Sequence, residues 1–143
     1  MKNIIIVALL TVIMFNSFGQ TKASSKCRRL CKDKTQSDIQ KSITFYKNRI
    51  LQIPADQDSY YSLGMCFTKL QKLNVAINYY DSLITINSNY YAALSNRGLC
   101  KSFLGDQEGA CNDFAKSVEI GQDFKVIDNI KLSEYIKIKC NKN

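Results

Sequence analysis

The small and hydrophobic residues of this chain repeat with a period of 34 positions. Six identical pairs have this separation: Gly64 and Gly98, Cys66 and Cys100, Leu70 and Leu104, Ala76 and Ala110, Asn78 and Asn112, and Ile86 and Ile120. Composition alone gives roughly two identities over such a window. A period of this length is typical of a repeated helix–turn–helix unit, so the pattern predicts two successive units at 57–90 and 91–124.

The same register extends weakly in both directions. Ile43, Tyr46 and Ile50 align with the second helix of the first unit, which predicts that 38–56 holds the second helix of a degenerate first repeat. Before it, 20–37 is a basic segment with a weak helical pattern. After the second unit, 125–143 is predicted to form a capping helix and a tail, since a stack of repeats must cover the open face of its last member.

Local signals at the ends of elements agree with this division. Asp106 is placed to cap a helix beginning at Gln107, Asn74 to cap one beginning at Val75, and Gly121 to follow a helix end. Between Ile136 and Cys140, apolar and charged residues alternate as they do in a strand. Leu132, Tyr135, Ile136 and Cys140 also form one helical stripe, however, and we predict a helix there.

The repeated positions resemble the tetratricopeptide repeat family. The residues that match its pattern are Tyr60, Leu63, Gly64, Phe67, Ala76 and Tyr80 in the first unit and Leu94, Gly98, Gly105, Ala110 and Phe114 in the second. The resemblance implies an all-α fold, a short right-handed α-solenoid. Gly64, Ala76, Tyr80, Gly98, Ala110 and Phe114 are its expected structural positions, where small residues let paired helices approach closely. Arg97, Lys101 and Gln71 depart from the pattern.

The resemblance also implies a concave groove formed by the first helix of each repeat. Its expected lining is Tyr61, Ser62, Met65, Lys69, Ser95, Asn96, Leu99 and Phe103. Asn96 matches a position where related proteins hold the backbone of a ligand through an amide, which can both donate and accept. An alternative for the four larger apolar side chains is internal packing. A clamp for a terminal carboxylate is excluded, since Tyr61, Met65, Ser95 and Leu99 occupy its positions.

The N-terminus has the pattern of an export signal. Lys2 precedes an apolar run from Ile4 to Phe15, and small residues follow at Ser17 and Gly19. We therefore predict that 1–19 is a signal peptide cut before Gln20, with a second possible site after Ala23. The expected location of the mature protein is the periplasm or the exterior, in soluble form.

The formal net charge of +8 is concentrated near the ends of the chain. Residues 22–49 contain nine Lys and Arg against two Asp, whereas 50–124 contain five against eight acidic residues. An alternative hypothesis for function follows: a cationic protein that docks through 22–49 on anionic lipid, polysaccharide or nucleic acid.

Six cysteines in an exported chain make disulfides plausible. Cys66 and Cys100 occupy equivalent places on neighbouring helices, too far apart to bond, and we predict buried thiols there. Cys111 and Cys140 are the best candidates for a disulfide, provided that the chain breaks between 123 and 129 and a final helix begins near Lys131. Cys27 and Cys31 share a helical face, but only Asp33 stands near as a further metal ligand.

The sequence has no signature of catalysis. It contains no histidine, which excludes the common nucleophile triads and the histidine-containing zinc motifs. No glycine-rich phosphate loop is present, and we expect no metal, no cofactor and no small-molecule substrate. The leading hypothesis is a non-catalytic interaction module that binds a protein or peptide, with no membrane or nucleic-acid partner.

Overall fold

A computed structural model describes residues 35–120 and 131–140. In these ranges the chain forms six α-helices. They are α1 (Gln36–Gln52), α2 (Gln57–Lys69), α3 (Leu73–Ile86), α4 (Tyr91–Phe103), α5 (Gln107–Glu119) and α6 (Leu132–Lys139). Each helix packs against the next one along the chain. This sequential packing is the arrangement expected of a helical repeat protein.

Helix pairs α2–α3 and α4–α5 coincide with the two 34-residue units. Both pairs turn in the same way, through a residue with positive φ at equivalent positions: Gln71 with φ 57° and Gly105 with φ 89°. In each turn the next amide donates back to a carbonyl five residues earlier, Lys72 to Phe67 and Asp106 to Lys101, both at 2.9 Å. This helix-ending motif requires the left-handed conformation, which glycine adopts at least cost.

The repeated glycines lie where the two helices of a pair touch. A Cβ atom at Gly98 would lie 2.7 Å from Cε1 of Phe114 and 3.2 Å from the carbonyl oxygen of Ala110. A Cβ at Gly64 would overlap the ring of Tyr80 in the same way. Both rings are fully buried. The period of 34 in the sequence therefore reflects one packing contact made twice.

Within 35–120 and 131–140, buried apolar side chains form two clusters. The larger one joins α1 to α4 and contains Ile39, Ile43, Tyr46, Tyr61, Leu63, Cys66, Phe67, Ala76, Tyr80, Leu83, Ala92, Ala93 and Cys100. The smaller one joins α4, α5 and α6 around Ala110, Phe114 and Leu132, with Leu99, Val118, Tyr135 and Ile136 packed against it. The last helix thus closes the smaller cluster and makes no contribution to the larger.

The observed N-cap agrees with the prediction for α5 but not for α3. The Asp106 carboxylate accepts a hydrogen bond from the amide of Gly109 at 2.8 Å, as predicted for the start of α5. The predicted cap at Asn74 is wrong, because α3 begins at Leu73 with Lys72 as its N-cap. The left-handed turn at Gln71 redirects the chain early enough for Asn74 to fall in the first helical turn. Gly121 lies outside the described residues.

The C-terminal part contains the predicted helix and disulfide. Residues Leu132–Lys139 are helical, and Cys111 bonds to Cys140 with Cα atoms 5.7 Å apart. Cys66 and Cys100 are buried thiols, as expected. The break predicted between 123 and 129, the leader 1–19, Cys27 and Cys31, and most of the basic segment 20–37 lie outside the described residues.

Candidate functional site: the exposed face of α2 and α4

Helices α2 and α4 hold the eight residues expected to line a groove. Four of them reach the surface: Met65, Lys69 and Leu99 are half-buried, and Phe103 is 39% exposed. The other four, Tyr61, Ser62, Ser95 and Asn96, are buried, with at most 7% of any one of them exposed. The expectation that all eight face an open groove is therefore wrong for half of them.

Tyr61 is buried because neighbouring rings enclose it. Its ring centroid lies 5.3 Å from that of Tyr90 and 6.3 Å from that of Tyr80. Its hydroxyl accepts a hydrogen bond from Nδ2 of Asn96 at 3.0 Å, and the same Nδ2 lies 3.5 Å from the sulfur of Met65. The amide donor expected to serve a ligand is therefore used inside the protein, where it links α4 to α2.

The two serines are buried because each hydroxyl has partners on neighbouring backbone. Ser62 donates to the carbonyl of Asp58 at 2.6 Å, and Ser95 donates to that of Tyr91 at 2.9 Å. Ser95 also lies 2.7 Å from the hydroxyl of Ser117 on α5. Such hydrogen bonds to the preceding turn let a small polar residue enter a helix interface. These serines act as packing residues between helices.

Three of the accessible residues on the two helices are large and apolar: Met65, Leu99 and Phe103. Leu99 rests on the smaller cluster and Met65 on the larger one, with Phe103 beyond them at the end of α4. Ser102 lies beside Phe103, and its hydroxyl donates to Oε1 of Gln107 at 3.3 Å. This arrangement offers a short apolar strip with polar groups at one end.

Arg97 forms a partly buried ion cluster that the sequence analysis missed. Its guanidinium donates to both carboxylate oxygens of Asp113 on α5, at 2.8 and 2.5 Å, and to Asp81 on α3 at 2.6 Å. Lys101 lies 3.0 Å from Asp113, whose side chain is only 5% exposed. The hydrogen bond with Asp113 raises the pKa of Arg97 above its ordinary value, against the opposing effect of burial. Both cations are therefore neutralised within the protein.

The described part of residues 22–49 shows the same pairing on α1. Lys41 lies 4.0 Å from Asp38, and Arg49 forms an ion pair with Asp56. Lys47 sits over the ring of Phe67, 5.9 Å from its centroid. The three cations of α1 thus each have a local partner.

The surroundings of the buried Cys100 thiol reduce its reactivity. Burial raises the pKa of the Cys100 thiol, which keeps it in the unreactive protonated form. Within the residues that the structure describes, no three histidine, cysteine or acidic side chains converge as a metal site would require. None of the helices in these ranges combines the length and apolarity needed to cross a membrane.

A tetratricopeptide repeat family model matches residues 57–90. No curated protein sequence matches the chain. Among solved structures, the first tetratricopeptide repeat domain of human RPAP3 has a TM-score of 0.65 at 19% identity, over 82% of this chain and 87% of that one. YrrB, a tetratricopeptide repeat protein with an unusual peptide-binding site, has a TM-score of 0.55 at 15% identity, over 59% of this chain.

MamA has a TM-score of 0.56 at 25% identity over 58% of this chain. The match spans 44% of YrrB and 45% of MamA, less than half the length of either protein. Fold and contacts together define a short helical-repeat protein. Residues 57–90 are a tetratricopeptide repeat, and the described chain has the fold of tetratricopeptide repeat domains.

Proposed function

We propose that this chain is an exported, non-catalytic interaction module that binds a peptide or a partner helix on the exposed face of α2 and α4. The observation that carries the proposal is the apolar strip of Met65, Leu99 and Phe103 along these two helices. Phe103 is 39% exposed at one end of it. An apolar side chain held at the surface beside half-buried ones is the usual anchor point for a partner's apolar residue.

Structures of the same fold support this class of ligand. YrrB has a peptide-binding site, and the two repeat domains of RPAP3 are bound to the HSP90 peptide SRMEEVD in their structures. The second domain of RPAP3 also binds the HSP70 peptide SGPTIEEVD. At identities of 15 to 21%, these likenesses show the fold alone, so the ligand class enters here as part of the proposal.

The ligand proposed here differs in chemistry from the acidic peptides of RPAP3. A terminal carboxylate is held by paired Lys, Arg or amide groups. In this chain Arg97 and Lys101 are committed to Asp113. We therefore expect the ligand to be held mainly by its apolar side chains.

Asn96 has a narrower role in this proposal than the family resemblance implies. Because its side chain is buried and its Nδ2 donates to Tyr61, Asn96 links α4 to α2 beneath the proposed surface and does not contact the ligand.

A binding experiment tests the surface. We would select peptides from a random 12-residue library on the full chain, and measure their Kd by fluorescence anisotropy. Phe103→Ser should weaken binding by about tenfold or more, because a buried aromatic anchor is typically worth more than 1.4 kcal/mol. The matched control is Leu51→Ser, which removes an 81% exposed apolar side chain on α1.

The outcomes separate the proposal from its alternative. An equal loss of affinity in both variants would contradict binding on the α2–α4 face. So would an unchanged Kd in both. Raising the salt concentration from 50 to 500 mM should leave the Kd nearly unchanged for apolar docking. A steep loss of affinity would favour docking of the basic segment 22–49 on an anionic surface.

Export is supported by the leader pattern and by the Cys111–Cys140 disulfide, a bond that persists in oxidising compartments. Intact-mass measurement of the protein recovered from the source cells tests it. We expect a chain beginning at Gln20 or Ser24. A mass that retains the first 18 residues would contradict the assignment.

A further inference from the structure

Helix α6 is short for an independent element. It has eight residues, and isolated helices below about 12 residues are marginal in water. Two features hold it on α5. One is the apolar contact of Leu132, Tyr135 and Ile136 with the Ala110–Phe114 face, and the other is the disulfide between Cys111 and Cys140. The covalent link is at the C-terminal end of α6, while the fully buried Leu132 is at its beginning.

The rest of the fold has its own core. The larger apolar cluster joins α1 to α4 and contains no residue of α6. The ion cluster of Arg97 with Asp81 and Asp113 binds α3, α4 and α5 to one another independently of α6. Loss of α6 would therefore remove the cover of the smaller cluster and leave the larger cluster and the ion cluster in place.

The disulfide is open to attack. Both cysteines are half-buried, so an external thiolate can reach the bond. Gln107 donates a hydrogen bond from Nε2 to the sulfur of Cys111 at 3.6 Å, and Ser102 orients that amide from its Oε1 side. A hydrogen bond to sulfur stabilises a thiolate, which makes Cys111 the better leaving group and Cys140 the sulfur attacked.

We propose that the Cys111–Cys140 disulfide is a redox clasp that a dithiol reductant opens to release α6, while α1 to α4 stay folded. In the first step a thiolate of the reductant bonds to the sulfur of Cys140, and the sulfur of Cys111 departs as a thiolate. The second thiol of the reductant then displaces Cys140. The protein gains two thiols, and the reductant is oxidised to its disulfide. This inference does not depend on what the α2–α4 face binds.

Release of α6 would uncover apolar surface next to that face. Phe114 and Ala110 are fully buried, and Leu99 packs against the same cluster. Reduction of the disulfide should therefore expose the apolar side chains of α4 and α5 that α6 covers. A reducing environment would alter the surface of this protein without unfolding its larger core.

Hydrogen exchange measured by mass spectrometry tests the clasp on the full chain, before and after treatment with dithiothreitol. The amides to follow are Tyr135, which donates to Lys131 at 2.9 Å, and Cys140, which donates to Ile136 at 2.8 Å. We expect both to exchange about a hundredfold faster in the reduced protein, as loss of a cross-link over a 29-residue separation would allow. Amides in α2 and α3 should change by less than about twofold.

The control variant carries Cys111→Ser and Cys140→Ser together. It should show fast exchange in α6 without reductant, and dithiothreitol should have no further effect on it. Unchanged exchange in α6 of the reduced wild type would overturn the proposal. So would equal loss of protection in all helices, because the disulfide would then hold the whole fold. Gln107→Leu should slow the reduction by about threefold, and an unchanged rate would overturn the order of attack.

Discussion

Substitution of Gly98 by leucine should destabilise the protein strongly, because the site has no room for a side chain. The first added atom would already lie 2.7 Å from the ring of Phe114, which is fully buried and packs edge-on against Tyr135 at 5.8 Å. The other near neighbour is a backbone oxygen, that of Ala110, which cannot rotate away.

The expected magnitude is the difference between two effects. Overpacking a core typically costs about 3 kcal/mol at a site that cannot adjust. Replacing glycine inside a helix gains about 1 kcal/mol in helix propensity. The net loss of unfolding free energy is about 2 kcal/mol or more. For a domain near this size, that lowers Tm by roughly 8 °C.

Thermal and urea unfolding followed by circular dichroism at 222 nm, without reductant, measure this loss. Lys116→Ala is the control, since it removes an exposed charge on α5 and should change stability by less than about 0.5 kcal/mol. Gly98→Ala is the sharper test. At an open helix position it would stabilise by about 1 kcal/mol, whereas here it should destabilise. Stabilisation by Gly98→Ala, or equal Tm values for the leucine variant and the control, would refute the helix contact.

Three further predictions concern other features of the fold. Gln71→Gly should stabilise the protein by about 0.5 to 1 kcal/mol in urea unfolding, because φ is 57° at this position. Gly105→Gln at the equivalent turn should destabilise it, and stability changes of the opposite sign in the two variants would contradict the turn geometry. Arg97→Met should lower the unfolding free energy by about 3 kcal/mol or more, because it leaves Lys101 as the one cation beside the buried Asp113 carboxylate. A loss below about 1 kcal/mol would show that the ion cluster does not stabilise the fold. Burial alone would raise the pKa of Asp56, but hydrogen bonds from Ser59 and Arg49 outweigh this effect and lower the pKa. Asp56→Asn should therefore destabilise the protein at pH 7, and its unfolding free energy should approach that of the wild type as pH falls below about 4. A difference in unfolding free energy that stays constant with pH would contradict this.

The sequence predicts well the features that recur and those that covalent geometry restricts. The 34-residue period locates α2 to α5, because the same contact between a glycine and an aromatic ring is made in both units. The disulfide was also predictable, since the limit on Cα separation restricts which cysteines can meet once the helices are placed. Both deductions use geometry that holds for any helix pair.

The features that the sequence does not predict depend on three helices at once. Tyr61 and Asn96 lie on surface-facing positions when each helix is considered alone. They become buried because Tyr80, Tyr90 and Met65 enclose them from neighbouring elements. The family resemblance places residues on one helix at a time. It assigns Asn96 to a groove that this residue does not line, and for Tyr61 the alternative of internal packing is the one observed.

Arg97 shows the same limit most clearly, and it also shows what a departure from a family pattern can mean. An arginine before the packing glycine looks like an imperfect match, but Asp81 and Asp113 stand 16 residues before and after it and converge on it from α3 and α5. A charge cannot be buried at a helix interface without such partners. The three residues therefore belong together as one interaction, which joins α4 to both α3 and α5. Because Arg97 and Lys101 are paired with Asp113, their charges are not available to a ligand. The ion pairs that join the helices therefore also leave the proposed surface to its apolar side chains.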